Sequence, residues 1–206
     1  MRLHRLTWVA VDAWQDGRLA DNDPWGPLYV STGRQGASRF DNPSRYAMLY
    51  AAKRPEAAYA EVFAGNVARV GSDALVHAGV ADVARCLVTV ELREPHGLCN
   101  LDDPAVLVEL GIRPSEVVRR DRETTQDVAH RIWLEGRHTG LTWWSFYNPS
   151  WTVCGVWSDR IDDDRPDFER VSVVDVVLAA LDDAALRVAA RRCRFDVDTV
   201  ELGAGD

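Results

Sequence analysis

Three stretches of this 206-residue chain carry residue types whose spacing suits chemistry on a small molecule. The first is Ser38-Arg39-Phe40-Asp41-Asn42-Pro43, which follows Gly33 and Gly36. A glycine-containing loop that carries an arginine can cradle a phosphate, because backbone N–H groups and a guanidinium fork converge on it. The second is Tyr50 followed by Glu61. A carboxylate facing a sugar ring stabilises the positive charge that grows as a glycosidic bond breaks. The third is Gly140-Leu141-Thr142-Trp143-Trp144-Ser145, an aromatic run that delivers a serine beside Phe146 and Tyr147. Rings of this kind can stack on an adenine or nicotinamide base. Each stretch also has a plain reading: a solvated loop, an exposed helix glutamate and aromatic core packing.

Other chemistries find less support. Ser145 does not stand in G-x-S-x-G, so a hydrolase nucleophile elbow is not expected. His4, His77, His96, His130 and His138 are scattered and read as solvated or capping residues. Neither G-x-G-x-x-G nor G-x-x-x-x-G-K-[ST] occurs. Cys86, Cys99, Cys154 and Cys193 form no C-x-x-C pair and no zinc-spaced cluster.

The elements that must position these residues follow from pattern. Residues 3–11 alternate and read as a strand, 12–27 as a polar loop, 28–31 as a short strand and 33–44 as a loop. Residues 46–52 read as a strand. Residues 54–64 read as a helix, with Pro55 at its first position and Ala57, Ala58 and Ala60 favouring it. Tyr50 thus ends a strand and Glu61 rides the next helix. Residues 84–92 form a strand, and Cys99-Asn100-Leu101-Asp102-Asp103 a short one running into an aspartate cap. Short helices follow at 104–110 and from Pro114. Positions 128, 129, 132 and 133 lie on one helical face, predicting a helix over 124–135 capped by Thr124 or Thr125. Strands are predicted at 141–144 and 153–157, and an acidic turn at 160–165. Residues 171–181 are ambiguous between strand and helix. Asp182 is expected to cap a last helix over 183–192. Strands and short helices mix without regular βαβ alternation, which favours α+β over a doubly wound sheet.

Composition sets the outer bounds. The length suits one domain able to bury a core without disulfides or structural metal. The net charge of −8 argues against a dedicated nucleic-acid binder. Lys53 is the only lysine among 24 basic side chains, and arginine suits bidentate contact with phosphate or carboxylate. No apolar stretch reaches the roughly 20 residues of a membrane span. The first ten residues are too charged, and too short in apolar run, for a leader, so reduced thiols in a cytoplasm are expected.

Taken together, the three stretches resemble the RES domain, a family named for an arginine, a glutamate and a serine. The resemblance rests on Arg39-Phe40-Asp41-Asn42-Pro43, then Ala47-Met48-Leu49-Tyr50-Ala51-Ala52, then Pro55-Glu56-Ala57-Ala58-Tyr59-Ala60-Glu61-Val62. Thr125-Gln126-Asp127-Val128-Ala129 and the run from Gly140 to Ser145 follow in the family's order. The matches span about residues 3 to 160, and the segment 171–193 is expected to pack on the same single domain.

The resemblance implies a compact α+β fold similar to the ADP-ribosyltransferase toxins, with mixed strands and short peripheral helices. It implies a toxin that consumes NAD by hydrolysis or phosphorolysis, or that transfers ADP-ribose to a protein. It also implies an Xre-like antitoxin as partner, inorganic phosphate as one acceptor, and no metal, nucleic-acid or membrane requirement. Carried over by position, Arg39, Tyr50, Glu61 and Ser145 are the catalytic set. Arg5 is a second arginine that joins Arg39, Tyr50 and Ser145 in holding NAD. Glu61 would stabilise the ribosyl cation, the arginines would hold pyrophosphate, Tyr50 would stack or bond to ribose, and Ser145 would bond a ribose hydroxyl or phosphate. Three positions depart from the family pattern: Ser38 stands where glycine is usual, Trp144 where proline is frequent and Phe146 where arginine often follows the serine. These departures bear on the acceptor pocket, and a catalytically inactive NAD-binding module is the third reading.

Overall fold

A computed structural model describes residues 1–199 apart from 32, 34, 94–96, 120 and 158–170. The expected turn at 160–165 and His96 lie outside the described residues. Nine strands and six α-helices are described: β1 (Arg2–Ala10), α1 (Val11–Gln15), β2 (Met48–Ala52), α2 (Pro55–Phe63), β3 (Arg69–Val70), β4 (Val83–Leu92), β5 (Leu98–Asn100), α3 (Pro104–Glu109), α4 (Pro114–Val117), α5 (Arg122–Leu134), β6 (Gly140–Trp144), β7 (Thr152–Trp157), β8 (Val171–Leu178), α6 (Ala184–Cys193) and β9 (Asp196–Val197). Seven strands form one sheet in the order β5-β6-β7-β2-β1-β4-β8, and β3 pairs with β9 in a small parallel ladder. Within the large sheet only β5–β6 is parallel. This is the expected α+β class, with a mixed sheet and short helices.

Burial follows the alternation of the strands. Along β2, Met48 enters one cluster with Leu141, Trp143 and Trp157, while Leu49 and Ala51 enter another with Cys154, Val88 and Val90. Successive side chains on a strand point to opposite faces, so one strand serves two cores. Helices α2 and α6 build a third cluster, in which Ala57, Ala60 and Ala189 are fully buried against Leu186 and Tyr59. The alanines of α2 therefore do more than favour helix, since their small side chains let the two helices approach closely. Helices α3, α4 and α5 pack into the β6–β7 cluster instead.

Two close approaches explain glycines of the sheet. A Cβ on Gly140 would lie 2.1 Å from the carbonyl oxygen of Gly155, and one on Gly155 would lie 2.1 Å from Met48 Sδ. Strand β7 therefore sits between β6 and β2 only because both positions lack side chains. This fixes the register Tyr50↔Gly155↔Leu141 that sets Tyr50 level with β6.

Several local expectations need correction. Residues 11–15 form a short helix that takes the last residue of the expected strand and the start of the expected loop, and 28–31 form no strand. Helix α5 is capped by Asp121, whose carboxylate accepts from Glu123 N at 3.1 Å and Thr124 Oγ1 at 2.6 Å. Thr125 is buried and turns its hydroxyl back to the carbonyls of Asp121 and Arg122. Asp183, rather than Asp182, caps α6 by accepting from Ala185 N at 2.7 Å. The ambiguous apolar segment is strand β8 at the sheet edge. All four cysteines are free, and burial pushes the Cys86 and Cys154 thiols up to about 12. Among the described residues no helix is long and apolar enough to cross a membrane.

Candidate functional site

Strands β1 and β2 meet at the single register pair His4↔Ala52. A cavity of about 620 Å³ is lined there by Arg5 from β1 and by Tyr50 and Ala52 from β2. Glu61 on α2 forms one wall, Val118, Arg119 and Arg122 at the α4–α5 junction another, and Trp143, Trp144, Phe146 and Tyr147 after β6 a third. The helical clusters around α2–α6 and α3–α5 stay separate, and the cavity occupies the gap between them. Its volume is ordinary for a cofactor or nucleotide site.

Of the five residues singled out from sequence, Arg5, Arg39, Tyr50 and Glu61 line this cavity. Ser145 stands behind the wall, fully buried. Its hydroxyl donates to Glu61 Oε1 at 2.6 Å and accepts from Tyr147 N at 3.1 Å. The single hydroxyl proton is thereby committed, so Ser145 orients Glu61 rather than reaching into the cavity. Glu61 itself is exposed to the cavity and enclosed by protein on its other sides. That partial desolvation pushes its carboxyl above the usual glutamate value, against the opposing pull of Ser145 and Arg39.

Tyr50 shows the same arrangement. Its hydroxyl donates a short hydrogen bond to Asp41 Oδ1, and its ring meets Trp143 edge-on at 5.9 Å. Burial and the neighbouring Asp41 carboxylate drive the phenol well above its ordinary value, so it stays protonated. The hydroxyl proton is directed to Asp41 and the Ser38 side chain also bonds to Tyr50, which leaves the ring face for a ligand. Asp41, for which the sequence pattern suggests no role, is a hub. It is buried, and its Oδ2 accepts from Gly36 N at 2.9 Å and Ser38 N at 3.0 Å. Gln126 clamps the same loop from α5, donating to the carbonyls of Gly36 and Ser38, each at 3.0 Å. The run Thr125-Gln126-Asp127-Val128-Ala129 therefore has a mechanical reason: Gln126 holds the loop that carries Arg39.

Arg39 projects from that loop. Its guanidinium donates to the Val117 carbonyl and lies 5.0 Å from the Phe40 ring and 5.8 Å from the Trp144 ring. Its Nε is buried without a hydrogen-bond partner, as is Nη1 of Arg5. Arg5 donates through Nη2 to the Tyr29 carbonyl at 3.1 Å. Burial lowers both guanidinium titrations, Arg5 to about 10. Buried guanidinium N–H groups without acceptors are costly, and an anionic ligand in the cavity would satisfy them.

Sequence reasoning missed His4, Arg119 and Arg122. His4 lines the cavity and lies 3.2 Å from Thr89 Oγ1, which corrects its reading as a solvated or capping residue. The two arginines sit among many others along the chain and gave no signal. Among the described residues, no cluster of three or more His, Cys, Asp or Glu side chains is arranged to hold a metal ion.

Comparison with known proteins agrees with this architecture. The RES domain family model matches residues 2–182. No curated protein matches the chain in sequence. Among solved structures, the chain is similar to the crystal structure of the M.tuberculosis MbcT-MbcA toxin-antitoxin complex. The identity is 16%, 94% of this chain and 88% of that chain are covered, and the TM-score is 0.54. The family match over residues 2–182 places this chain in the RES domain family.

Proposed function

We propose that this chain is an NAD-consuming toxin that cleaves the nicotinamide–ribose bond, by hydrolysis or phosphorolysis, and is neutralised by a cognate antitoxin. The observation that carries the reading is Glu61, held by Ser145 at the wall of a cavity whose other charged groups are arginines. RES chemistry is directed at NAD, and the cavity has the features that such a substrate needs. Arg5 and Arg39 present buried, unsatisfied N–H groups suited to pyrophosphate. Tyr50 and Trp143 offer aromatic surface for a flat ring.

The chemistry asks little of the protein in proton transfer. The C1′–N bond breaks and its electron pair goes to the pyridinium nitrogen, so nicotinamide leaves neutral. Positive charge remains on the ribose, shared between C1′ and the ring oxygen. A carboxylate aimed at that charge lowers the barrier if it is held before the charge develops. Ser145 does this holding, because its donated hydrogen bond limits rotation of the Glu61 carboxyl group. In hydrolysis a water oxygen bonds to C1′ and the water releases a proton, giving ADP-ribose. In phosphorolysis a phosphate oxygen bonds to C1′ instead, giving the 1-phosphate of ADP-ribose. Positioning in a cavity supplies much of the remaining acceleration.

The proposed partner is an Xre-like antitoxin that occludes the cavity mouth, where Phe146 is 58% exposed. The structural neighbour was solved as a toxin–antitoxin complex, which supports this choice. The test follows NAD and its products by chromatography, with and without inorganic phosphate. Free ADP-ribose or its 1-phosphate is expected. Label from ADP-ribose-tagged NAD on a protein band would make the chain a transferase instead. Tight NAD binding without turnover would make it an inactive module.

A further inference from the structure

The cavity carries more positive charge than a pyrophosphate requires. Arg5 and Arg39 occupy its inner part, and Arg119 and Arg122 line it from the α4–α5 junction. Among the described residues of the lining, Glu61 is the only carboxylate. Among the described residues, neither Arg119 nor Arg122 makes a side-chain hydrogen bond or ion pair, and both are exposed. The carboxylates flanking them in sequence are Asp121, which is taken up by the α5 cap with Arg119 nearby, and Glu123, which lies with Asp121 and Asp127 on a separate outer concavity that Arg119 borders. Arg122 is close enough to Arg39 for their mutual repulsion to contribute to the lowered Arg39 titration. Gathering like charges around one cavity in a chain of net charge −8 is unfavourable unless an anion joins them.

We infer that Arg119 and Arg122 form a rim subsite for a phosphate dianion, separate from the inner arginines that take the pyrophosphate. This rests on the dinucleotide reading above and deepens it. Two guanidinium groups on one wall match a phosphate with two charges and three acceptor oxygens, and arginine is the residue suited to that geometry. Two sources supply such a group. One is the 2′-phosphate of NADP, which would make this chain favour the phosphorylated dinucleotide. The other is free inorganic phosphate, whose oxygen would bond to C1′ as the nicotinamide leaves with its electron pair.

The experiment compares the full chain with R119Q/R122Q. It measures kcat/KM for NADP and for NAD, and KM for inorganic phosphate. Calorimetry runs alongside, with adenosine 2′,5′-bisphosphate, AMP and inorganic phosphate as probes. If the 2′-phosphate is the source, the ratio of kcat/KM for NADP over NAD falls about tenfold or more in the variant. If free phosphate is the source, its KM rises by a similar factor and the NADP:NAD ratio holds. Equal losses for NAD and NADP with an unchanged phosphate KM would overturn the subsite, and so would no change in any of them. The calorimetry separates this from failure of the dinucleotide reading. Suppose neither dinucleotide is cleaved. A preference for the bisphosphate over AMP, or binding of inorganic phosphate, that is lost in R119Q/R122Q still establishes the subsite. Absence of both in the unmodified chain overturns it.

Discussion

The floor and the rim of the cavity are built on opposite principles. On the floor each hydroxyl is committed: Ser145 to Glu61, and Tyr50 to Asp41. Asp41 and Gln126 in turn fix the loop that carries Arg39. At the rim, Arg119, Arg122 and Phe146 are exposed. The floor is organised before any ligand arrives, which is the condition for electrostatic catalysis without reorganisation. Among the described residues, the rim guanidinium groups of Arg119 and Arg122 have no side-chain hydrogen bond or ion pair before a ligand binds. Floor substitutions should therefore act on kcat, and rim substitutions on affinity and choice of ligand.

This contrast can be broken in graded steps. Arg39→Ala removes the guanidinium proposed to hold pyrophosphate and leaves the Val117 carbonyl without its donor, so kcat/KM should fall about a hundredfold. A loss confined to a few-fold in steady-state kinetics would move Arg39 off the floor. Ser145→Ala should cost about tenfold in kcat with little change in KM, because Glu61 keeps its charge but loses its orientation. The same variant sharpens the comparison through pH. Glu61 must be ionised to act, and its carboxyl titrates above the usual value, so the rate should fall with decreasing pH sooner than for an ordinary glutamate. Ser145 pulls that titration down, so removing its hydroxyl should move the acid limb of kcat/KM to higher pH. An unmoved limb would mean that Glu61 does not set it.

Gln126→Ala should cost about threefold in kcat/KM, since the loop keeps its Asp41 contacts. Amide exchange at Gly36 and Ser38 would report the loosening. The smallest effect is expected for Phe146→Ala, about twofold in KM, because the ring is largely exposed and meets Tyr147 edge-on. A large kcat loss there would erase the distinction between floor and rim.

How far the sequence carried these conclusions depended on range. Residues acting within one element were legible: Pro55 opening α2, the glutamate on that helix, and the buried face of α5 at Val128, Ala129 and Ile132. Helix caps were displaced where two or more candidates adjoin. Asp121 competes with Thr124 and Thr125, and a carboxylate reaches the first-turn N–H groups while the threonine hydroxyls bond elsewhere. Strand β8 stayed ambiguous because valines lie on both of its faces, so its alternation is lost. The β3–β9 ladder is two residues long and joins segments far apart in sequence. Ser145 was found by its motif, but its action through Glu61 was not, because that contact spans 84 positions. Arg119 and Arg122 look like any other arginines until the α4–α5 junction is folded over the cavity.

The central claim is that Glu61, held by Ser145, stabilises charge on a ribose. Its most direct test is nicotinamide release from NAD by the purified chain and by Glu61→Gln, with NAD affinity measured for both. The account predicts steady release by the unmodified chain. In the variant it predicts a kcat lower by about 10²–10³, with retained NAD binding and an unchanged near-ultraviolet circular dichroism spectrum. Equal rates of release from the two proteins would contradict it.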